Sequence, residues 1–117
     1  MNKKNKIKVL FLSAWYPNRY DAMAGLFVRK HAEAVSLYCD VKVLYVHGDK
    51  QIDDFEIKKN KHGEIEEISV YYPTRMFLFR HFNYFIAYIK GFKEITFQIG
   101  FKADILHANI LTRTVFI

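Results

Sequence analysis

The stretch Ile7–Tyr38 constrains the fold more than any other part of the sequence. It begins with an aliphatic, β-branched run, Ile7–Ser13, which is typical of a central strand covered on both faces. A long loop, Ala14–Ala24, follows, and from Phe27 onward apolar residues recur at the spacing of an amphipathic helix. Gly25 marks the start of that helix. Because α/β proteins place ligands where a strand feeds a helix, the stretch predicts a ligand site beyond the strand's carboxyl end.

The first turn of the predicted helix carries two cations, Arg29 and Lys30, where the helix dipole favours carboxylates. Backbone N–H groups at a helix start, the small Gly25 and these cations together form a candidate anion site. The alternative is that both side chains point into water and tolerate a small unfavourable dipole energy. The residues by themselves favour neither interpretation over the other.

The composition is that of one globular domain with an anionic partner. The 117 residues are 51% hydrophobic, and their formal net charge of +6 favours a nucleotide, a phosphorylated lipid, a membrane surface or nucleic acid. The single cysteine, Cys39, excludes an internal disulfide and fits a reducing compartment. No signal peptide or spanning segment is recognisable, so we expect a cytoplasmic protein, with peripheral contact at the inner face of the membrane left open.

The rest of the chain continues the alternation of strands and helices. Three further runs are predicted to be strands: Val41–His47, Glu64–Pro73 and Ala103–Asn109. The polar segment Gly48–His62 predicts a surface excursion, in which Asp49, Asp53 and Asp54 are expected to be solvated rather than to bind metal. Ile110–Ile117 begins another helical pattern and then stops, which suggests a fragment.

Arg80–Phe101 predicts a long helix with an unusually broad apolar surface. One side carries a stripe of Phe82, Phe85, Ile86, Ile89, Phe92, Thr96 and Ile99, which is broadened by Tyr84, Tyr88, Ile95 and Phe97. A crossover helix packed on the sheet through this stripe is the favoured interpretation. The alternative is that the surplus aromatics, with Lys90 and Lys93, contact an anionic membrane or a missing domain. These elements together predict an α/β fold, a Rossmann-like and mainly parallel sheet of at least four strands with helices on both faces.

Several chemistries lose support because their motifs are missing from the sequence. There is no Gly-x-Gly-x-x-Gly, no phosphate-loop lysine and no Cys/His spacing for zinc. Ser13 lacks the glycines of a nucleophile elbow, and the aromatics follow buried patterns rather than those of a nucleic-acid-binding face, so no nucleic acid is expected. His107, at a strand's carboxyl end, is the best single side chain for contact with a polar ligand.

Two blocks of the sequence resemble group 1 (family four) glycosyltransferases. Ser13–Pro17 followed by Ala24–Val35 is similar to that family's Ser-x-Trp-Tyr/Phe-Pro loop and its Gly-x-Phe-Val segment with a basic pair. Ala103–Asn109 is similar to the family's Asp-hydrophobic-hydrophobic-His-x-His strand end, with Asn109 where a second histidine is common. The order and separation of the blocks also fit, so the resemblance covers most of the chain.

The resemblance implies the GT-B architecture, in which two Rossmann-like domains face a cleft. Residues 1–117 would then be the single acceptor-side N-terminal domain, and the C-terminal domain that binds the nucleotide-sugar would be missing, so that the chain alone is inactive. The implied acceptor- or phosphate-binding residues are Gly25, Arg29, Trp15, His107 and Asn109, with His107 the candidate catalytic residue.

The resemblance further implies a retaining, hexosyltransferase-like reaction without metal or cofactor. A sugar would pass from a nucleotide-sugar donor to a glycan or lipid-linked acceptor in polysaccharide or glycolipid synthesis. The alternative is a small non-catalytic α/β binding or interaction module that functions by itself.

Overall fold

The computed structural model of this chain describes residues 6–13, 16–18, 20–74 and 80–109. The elements within these ranges are β1 Lys8–Ser13, α1 Leu26–Ser36, β2 Asp40–Asp49, β3 Glu56–His62, β4 Ile65–Pro73, α2 Arg80–Lys93 and β5 Ile105–Asn109. A π-helical turn, Glu94–Gln98, continues α2. The predicted α/β class is confirmed.

The five strands form one sheet in the order β3-β4-β2-β1-β5. β1 lies between β2 and β5 and pairs in parallel with both, and β2 pairs in parallel with β4. β3, by contrast, pairs antiparallel with β4. The sheet is therefore mostly parallel, as the sequence predicts.

Two apolar clusters account for the unbroken apolar sequence of β1. Val9 and Phe11 pack in one cluster with Val28 of α1. Leu10, which lies between them in the chain, packs in the other cluster with Ala87 of α2. Because successive side chains of a strand point in opposite directions, β1 has to be apolar at consecutive positions to take part in both clusters.

Helix α1 is shorter than its apolar pattern predicts. Val28 and Ala32 are buried, as expected of its inner face. Phe27 and Tyr38 also fit the helical spacing of the apolar residues, which predicts that they lie on the inner face. Both are exposed, and the helix ends at Ser36, before Tyr38. The helix therefore packs through small side chains, which allows it to lie close to the sheet.

The prediction of a polar surface excursion over Gly48–His62 is wrong for its second half, which forms β3. Its side chains are mostly exposed, since this strand contributes little to the core. β3 pairs along its whole length with β4 through the main chain. A lysine-rich strand with one partner is typical of a protected sheet edge, and main-chain pairing needs no apolar alternation. The sequence pattern therefore carried no signal for it.

Asp49 was expected to be solvated with Asp53 and Asp54, and for Asp49 this is wrong. Its side chain is buried, and its carboxylate accepts hydrogen bonds from the Tyr20 hydroxyl at 2.6 Å and from the Gln51 N–H at 2.8 Å. Asp53 and Asp54 are exposed, as expected. Asp49 therefore ties the loop after β1 to the end of β2.

Helix α2 packs on the sheet, but not through the predicted stripe. Its buried positions are Tyr84, Ala87 and Gly91, and Ile95 continues them in the π-helical turn. The stripe from Phe82 through Phe92 faces outward instead. Neither helix within the described ranges is long and apolar enough to cross a lipid bilayer.

Gly91 lets α2 approach the sheet closely. A Cβ placed on Gly91 would overlap the Leu44 side chain and lie 3.0 Å from Cγ2 of Val70. Both neighbours are fully buried in the α2 cluster, so neither has space to move away. The glycine is therefore a packing requirement, although in the sequence it resembles only a weak point of the helix.

We predict that Gly91→Val lowers the free energy of unfolding by at least about 2 kcal/mol, because its side chain overpacks a filled core. Urea unfolding followed by circular dichroism measures the change. Lys93→Val is the matched control, since it places the same β-branched residue at an exposed position of the same helix and should cost only about 0.5 kcal/mol. Equal unfolding midpoints for the two variants would contradict the close packing of α2.

Candidate functional site

The carboxyl ends of β1 and β5 meet at the point where the connections of the sheet reverse direction. From β1 the chain crosses through α1 to β2, which is the neighbour of β1 on one side. It later returns from β4 through α2 to β5, which is the neighbour of β1 on the other side. At their ends Ser13 of β1 is in register with Asn109 of β5 and with Tyr45 of β2. In open α/β sheets the crevice outside such a switch point is the usual place for a ligand.

The loop after β1 is held by its own polar side chains. The Asn18 carboxamide oxygen accepts hydrogen bonds from the N–H groups of Tyr20 at 2.9 Å and Asp21 at 3.1 Å. The Asp21 carboxylate accepts one from the N–H of Met23 at 3.0 Å. These bonds form consecutive turns that lead the chain into α1.

Gly25 is the residue that turns the loop into the helix. It is buried and lies in the left-handed region, with φ 58° and ψ 27°, immediately before Leu26. Its carbonyl accepts the first helical hydrogen bond from the Val28 N–H at 2.9 Å. A side chain here would be strained by the backbone conformation, which explains the glycine at the predicted helix start.

Arg29 does not project into solvent, but binds a buried carboxylate on β4. Its Nε lies 2.9 Å from Oε2 of Glu67, and its Nη2 lies 3.0 Å from Oε1, a bidentate pair. Glu67 also accepts hydrogen bonds from the Tyr16 hydroxyl and from Nδ2 of Asn60, the latter at 2.8 Å. The guanidinium charge is thus balanced within the chain, whereas Lys30 remains exposed and only loosely paired with Glu33 at 3.9 Å.

The pKa values of this network keep Tyr16 protonated and Arg29 charged. Burial, the hydrogen bond to Glu67 and the Glu67 charge raise the pKa of the Tyr16 hydroxyl well above its usual range. Burial lowers the pKa of Arg29, but its bonds with Tyr16 and Glu67 and the charge of Glu67 outweigh that effect, and the pKa is raised. Tyr16 therefore remains a hydrogen-bond donor at neutral pH and cannot act as a base there.

Sequence reasoning missed Glu67 and Tyr16, although one signal for Glu67 is present. Glu67 lies two residues after the buried Ile65 and two before Ser69, so it shares their face of the strand. A carboxylate on an inward-facing strand position needs a buried partner. Arg29 could not be identified as that partner before the fold brought α1 over β4.

A cleft of about 330 Å³ lies between this network and the edge of the sheet. It is lined by the loop after β1, by Arg29 and by alternating residues of β3 and β4, namely Pro17, Asn18, Ala22, Arg29, Lys58, Asn60, Glu67, Ser69 and Tyr71. Its volume is at the lower end of the range for small-molecule sites, about 300–1,000 Å³. Amide, hydroxyl and carboxylate groups around one opening suit a ligand rich in hydroxyl groups.

His107 lies on the other flank of α1. Its ring centroid is 4.8 Å from that of Phe11 and 5.3 Å from that of His31, which it meets edge to face. His31, on α1, makes its described ring contacts with Phe11 and His107. Since His31 and Arg29 are two residues apart on a helix, they point to opposite flanks.

The structure therefore divides the predicted site residues. Gly25 immediately precedes α1 and Arg29 lies in its first turn, where it faces β4, which is separated from β5 by β2 and β1. His107 lies beside His31. His31 is about 9 Å further along the axis of α1 than Gly25, at a rise of about 1.5 Å per residue. Asn109 ends β5 opposite Ser13, and Trp15 falls outside the described residues. Among the residues described, no group of three or more histidine, cysteine or acidic side chains is arranged to hold a metal ion.

We predict that Glu67→Ala lowers the free energy of unfolding by about 3–5 kcal/mol, because it leaves Arg29 partly buried without a counter-charge. Urea denaturation measures the change, and Glu64→Ala, at an exposed turn next to β4, is the control. The double variant Arg29→Met/Glu67→Leu should recover part of the loss, since no charge then remains unpaired. A loss no larger than that of the control would contradict the structural importance of the pair.

Comparison with known proteins finds no relative for this chain. No family model matches it, and neither does any curated protein or solved structure. The resemblance to group 1 glycosyltransferases therefore rests on the residues of the two sequence blocks alone.

Proposed function

We propose that this chain is the acceptor-side domain of a retaining glycosyltransferase of the GT-B architecture. One observation carries the proposal: the first motif block begins, and the second block ends, at the same edge of the sheet, although the two are far apart in sequence. The first block covers the end of β1, the loop and most of α1, and the second covers β5. Parallel pairing sets Ser13 opposite Asn109, so both blocks border the switch point where α/β folds bind ligands.

The finer fold that we infer is Rossmann-like, with α1 and α2 on opposite faces of the sheet. The alternation along β1 supports this inference, because Val9 and Phe11 pack with α1 whereas Leu10 packs with α2. The parallel connection from β1 through α1 to β2 is of the kind that is right-handed in nearly all proteins. A second domain of similar architecture would face the edge that carries Gly25 and Asn109 and would hold the nucleotide-sugar.

The proposed reaction transfers a sugar from a nucleoside diphosphate to an acceptor hydroxyl. The bond between the anomeric carbon and the diphosphate oxygen breaks, and the acceptor oxygen forms the new bond to that carbon while its proton passes to an oxygen of the leaving diphosphate. Charge on the leaving diphosphate is stabilised by helix N-termini and cations, mostly from the second domain. Neither metal nor cofactor is part of this proposal.

The residues of this chain have different roles in that scheme. Gly25 lets a sugar or phosphate approach the backbone at the start of α1, and His107 is proposed to face the acceptor. Asn109, at the end of the same strand, is assigned to acceptor binding through the resemblance, as is Trp15, which falls outside the described residues. His107 is oriented by the rings of Phe11 and His31. The charge of Arg29 is balanced by Glu67, so we propose that Arg29 positions α1 and does not bind phosphate by itself.

The second candidate function is that of a small-molecule binding module without catalysis. The observation that favours it is the cleft beside Arg29, whose described lining combines charged, amide and hydroxyl side chains. Ligand binding by the chain alone, with no sugar transfer by the intact protein, is the result that would favour this function.

We expect the intact protein to transfer label from one of a panel of nucleotide-sugars to a component of a membrane extract. Gly25→Val should reduce this transfer at least about tenfold, because a β-branched residue is strained at a φ of 58° and shifts the start of α1. Gly63→Val is the matched control: its φ of 62° imposes the same strain, but it lies in the turn between β3 and β4 with open space around it.

Transfer is measured by extracting the labelled product and counting it. Equal losses for the two glycine variants would remove Gly25 from the site. Absence of transfer from every donor in the panel would contradict the glycosyltransferase proposal itself.

A further inference from the structure

Helix α2 presents large apolar side chains to solvent along the face opposite its buried one. On its outer face Phe82 is 64% exposed, Phe85 46%, Ile89 54% and Phe92 41%. These residues are spaced by three or four positions, so they form one continuous strip. A continuous apolar strip of this kind is unusual on the surface of a monomeric protein in water, and it marks a site that binds a protein, a ligand or a membrane.

The outer face of α2 is extended by a neighbouring aromatic side chain. Phe97, in the π-helical turn that follows α2, is 75% exposed. The buried side of the same helix is occupied by Tyr84, Ala87 and Gly91 against the sheet. The exposed aromatics are therefore additional to the core and are not needed to hold α2 in place.

The charge of this surface has one sign. Arg80–Lys93 contains no acidic residue, and Lys90 and Lys93 lie exposed in its last turn. Lys93 follows Ile89 by four positions and so lies on the apolar strip itself. The next acidic residue, Glu94, forms an ion pair with Lys59 at 2.5 Å, so its charge is balanced.

We propose that the outer face of α2 docks on an anionic lipid surface. Aromatic side chains enter the boundary between headgroups and acyl chains, while Lys93 on the strip meets lipid phosphates. Lys90, whose ammonium lies 5.2 Å from the centre of the Phe55 ring, adds positive charge at the flank. The helix would lie in the plane of the membrane over about 21 Å of its length. The net charge of +6 of the whole chain adds attraction over a longer distance.

Charge complementarity favours lipid over a second copy of the chain. In a symmetric dimer formed through this strip, the same face would be present twice, and neither copy of α2 would supply an acidic residue to pair with the lysines of the other. An anionic bilayer instead provides opposite charge along the whole strip. The proposal that α2 docks on lipid does not depend on the proposed sugar transfer, so either proposal can be wrong while the other is right.

The test is flotation of the purified protein with vesicles of phosphatidylcholine alone and with vesicles that also contain phosphatidylglycerol. We expect binding to the anionic vesicles, weakened by added salt, and little binding to the neutral ones. Phe85→Ser/Phe92→Ser and Lys90→Glu/Lys93→Glu should each weaken binding at least about tenfold.

The control variant is Leu37→Ser/Tyr38→Ser, which removes two exposed apolar side chains beyond the end of α1 and should bind like the parent. Circular dichroism checks that all variants remain folded. Unchanged binding of both α2 variants, or no binding of the parent to anionic vesicles, would overturn the proposal. Self-association that is abolished by the phenylalanine substitutions, without vesicle binding, would overturn it in favour of a second copy.

Discussion

The buried carboxylate of Glu67 joins four parts of the chain at one point. It lies on β4, and it receives hydrogen bonds from Tyr16 in the loop after β1, from Arg29 on α1 and from Asn60 on β3. Only 5% of its side chain is exposed, so each missing bond would leave a polar group without water to replace its partner. The position of α1 over the sheet, and the shape of the cleft beside it, depend on this contact.

The Glu67 network also decides which charges are available to a ligand. An arginine and a lysine at the start of a helix suggest a ready anion site, yet the bidentate pair uses the arginine inside the protein. At the same helix start the Leu26 and Val28 N–H groups donate to the Met23 and Gly25 carbonyls. Of the two cations in the first turn, Lys30 is therefore the one whose charge a phosphate or sugar can reach from solvent.

Helix α2 has apolar residues on both sides for two different reasons. On the inner side, small residues such as Ala87 and Gly91 allow it to lie close to Leu44 and Val70. On the outer side, the aromatic side chains of Phe82 and Phe92 contribute nothing to the core. At Gly91 the sheet leaves no room for a larger side chain, so the fit to the sheet, rather than the amount of apolar surface, sets which face of α2 packs inward.

The sequence by itself determined the α/β class, four of the strands and the position where α1 begins, because these depend on local patterns and on a backbone conformation that favours glycine. It also carried the two motif blocks, but not the fact that they border one edge of the sheet, which follows from the parallel pairing of β1 with β5. Edge strand β3 was missed because its pairing uses the main chain, and the inner face of α2 was mistaken because size, rather than hydrophobicity, selects it. Only the tertiary structure brought Arg29 to Glu67. Arg29 lies on α1 and Glu67 on β4, and the spacing of residues in the sequence does not reveal that α1 packs over β4.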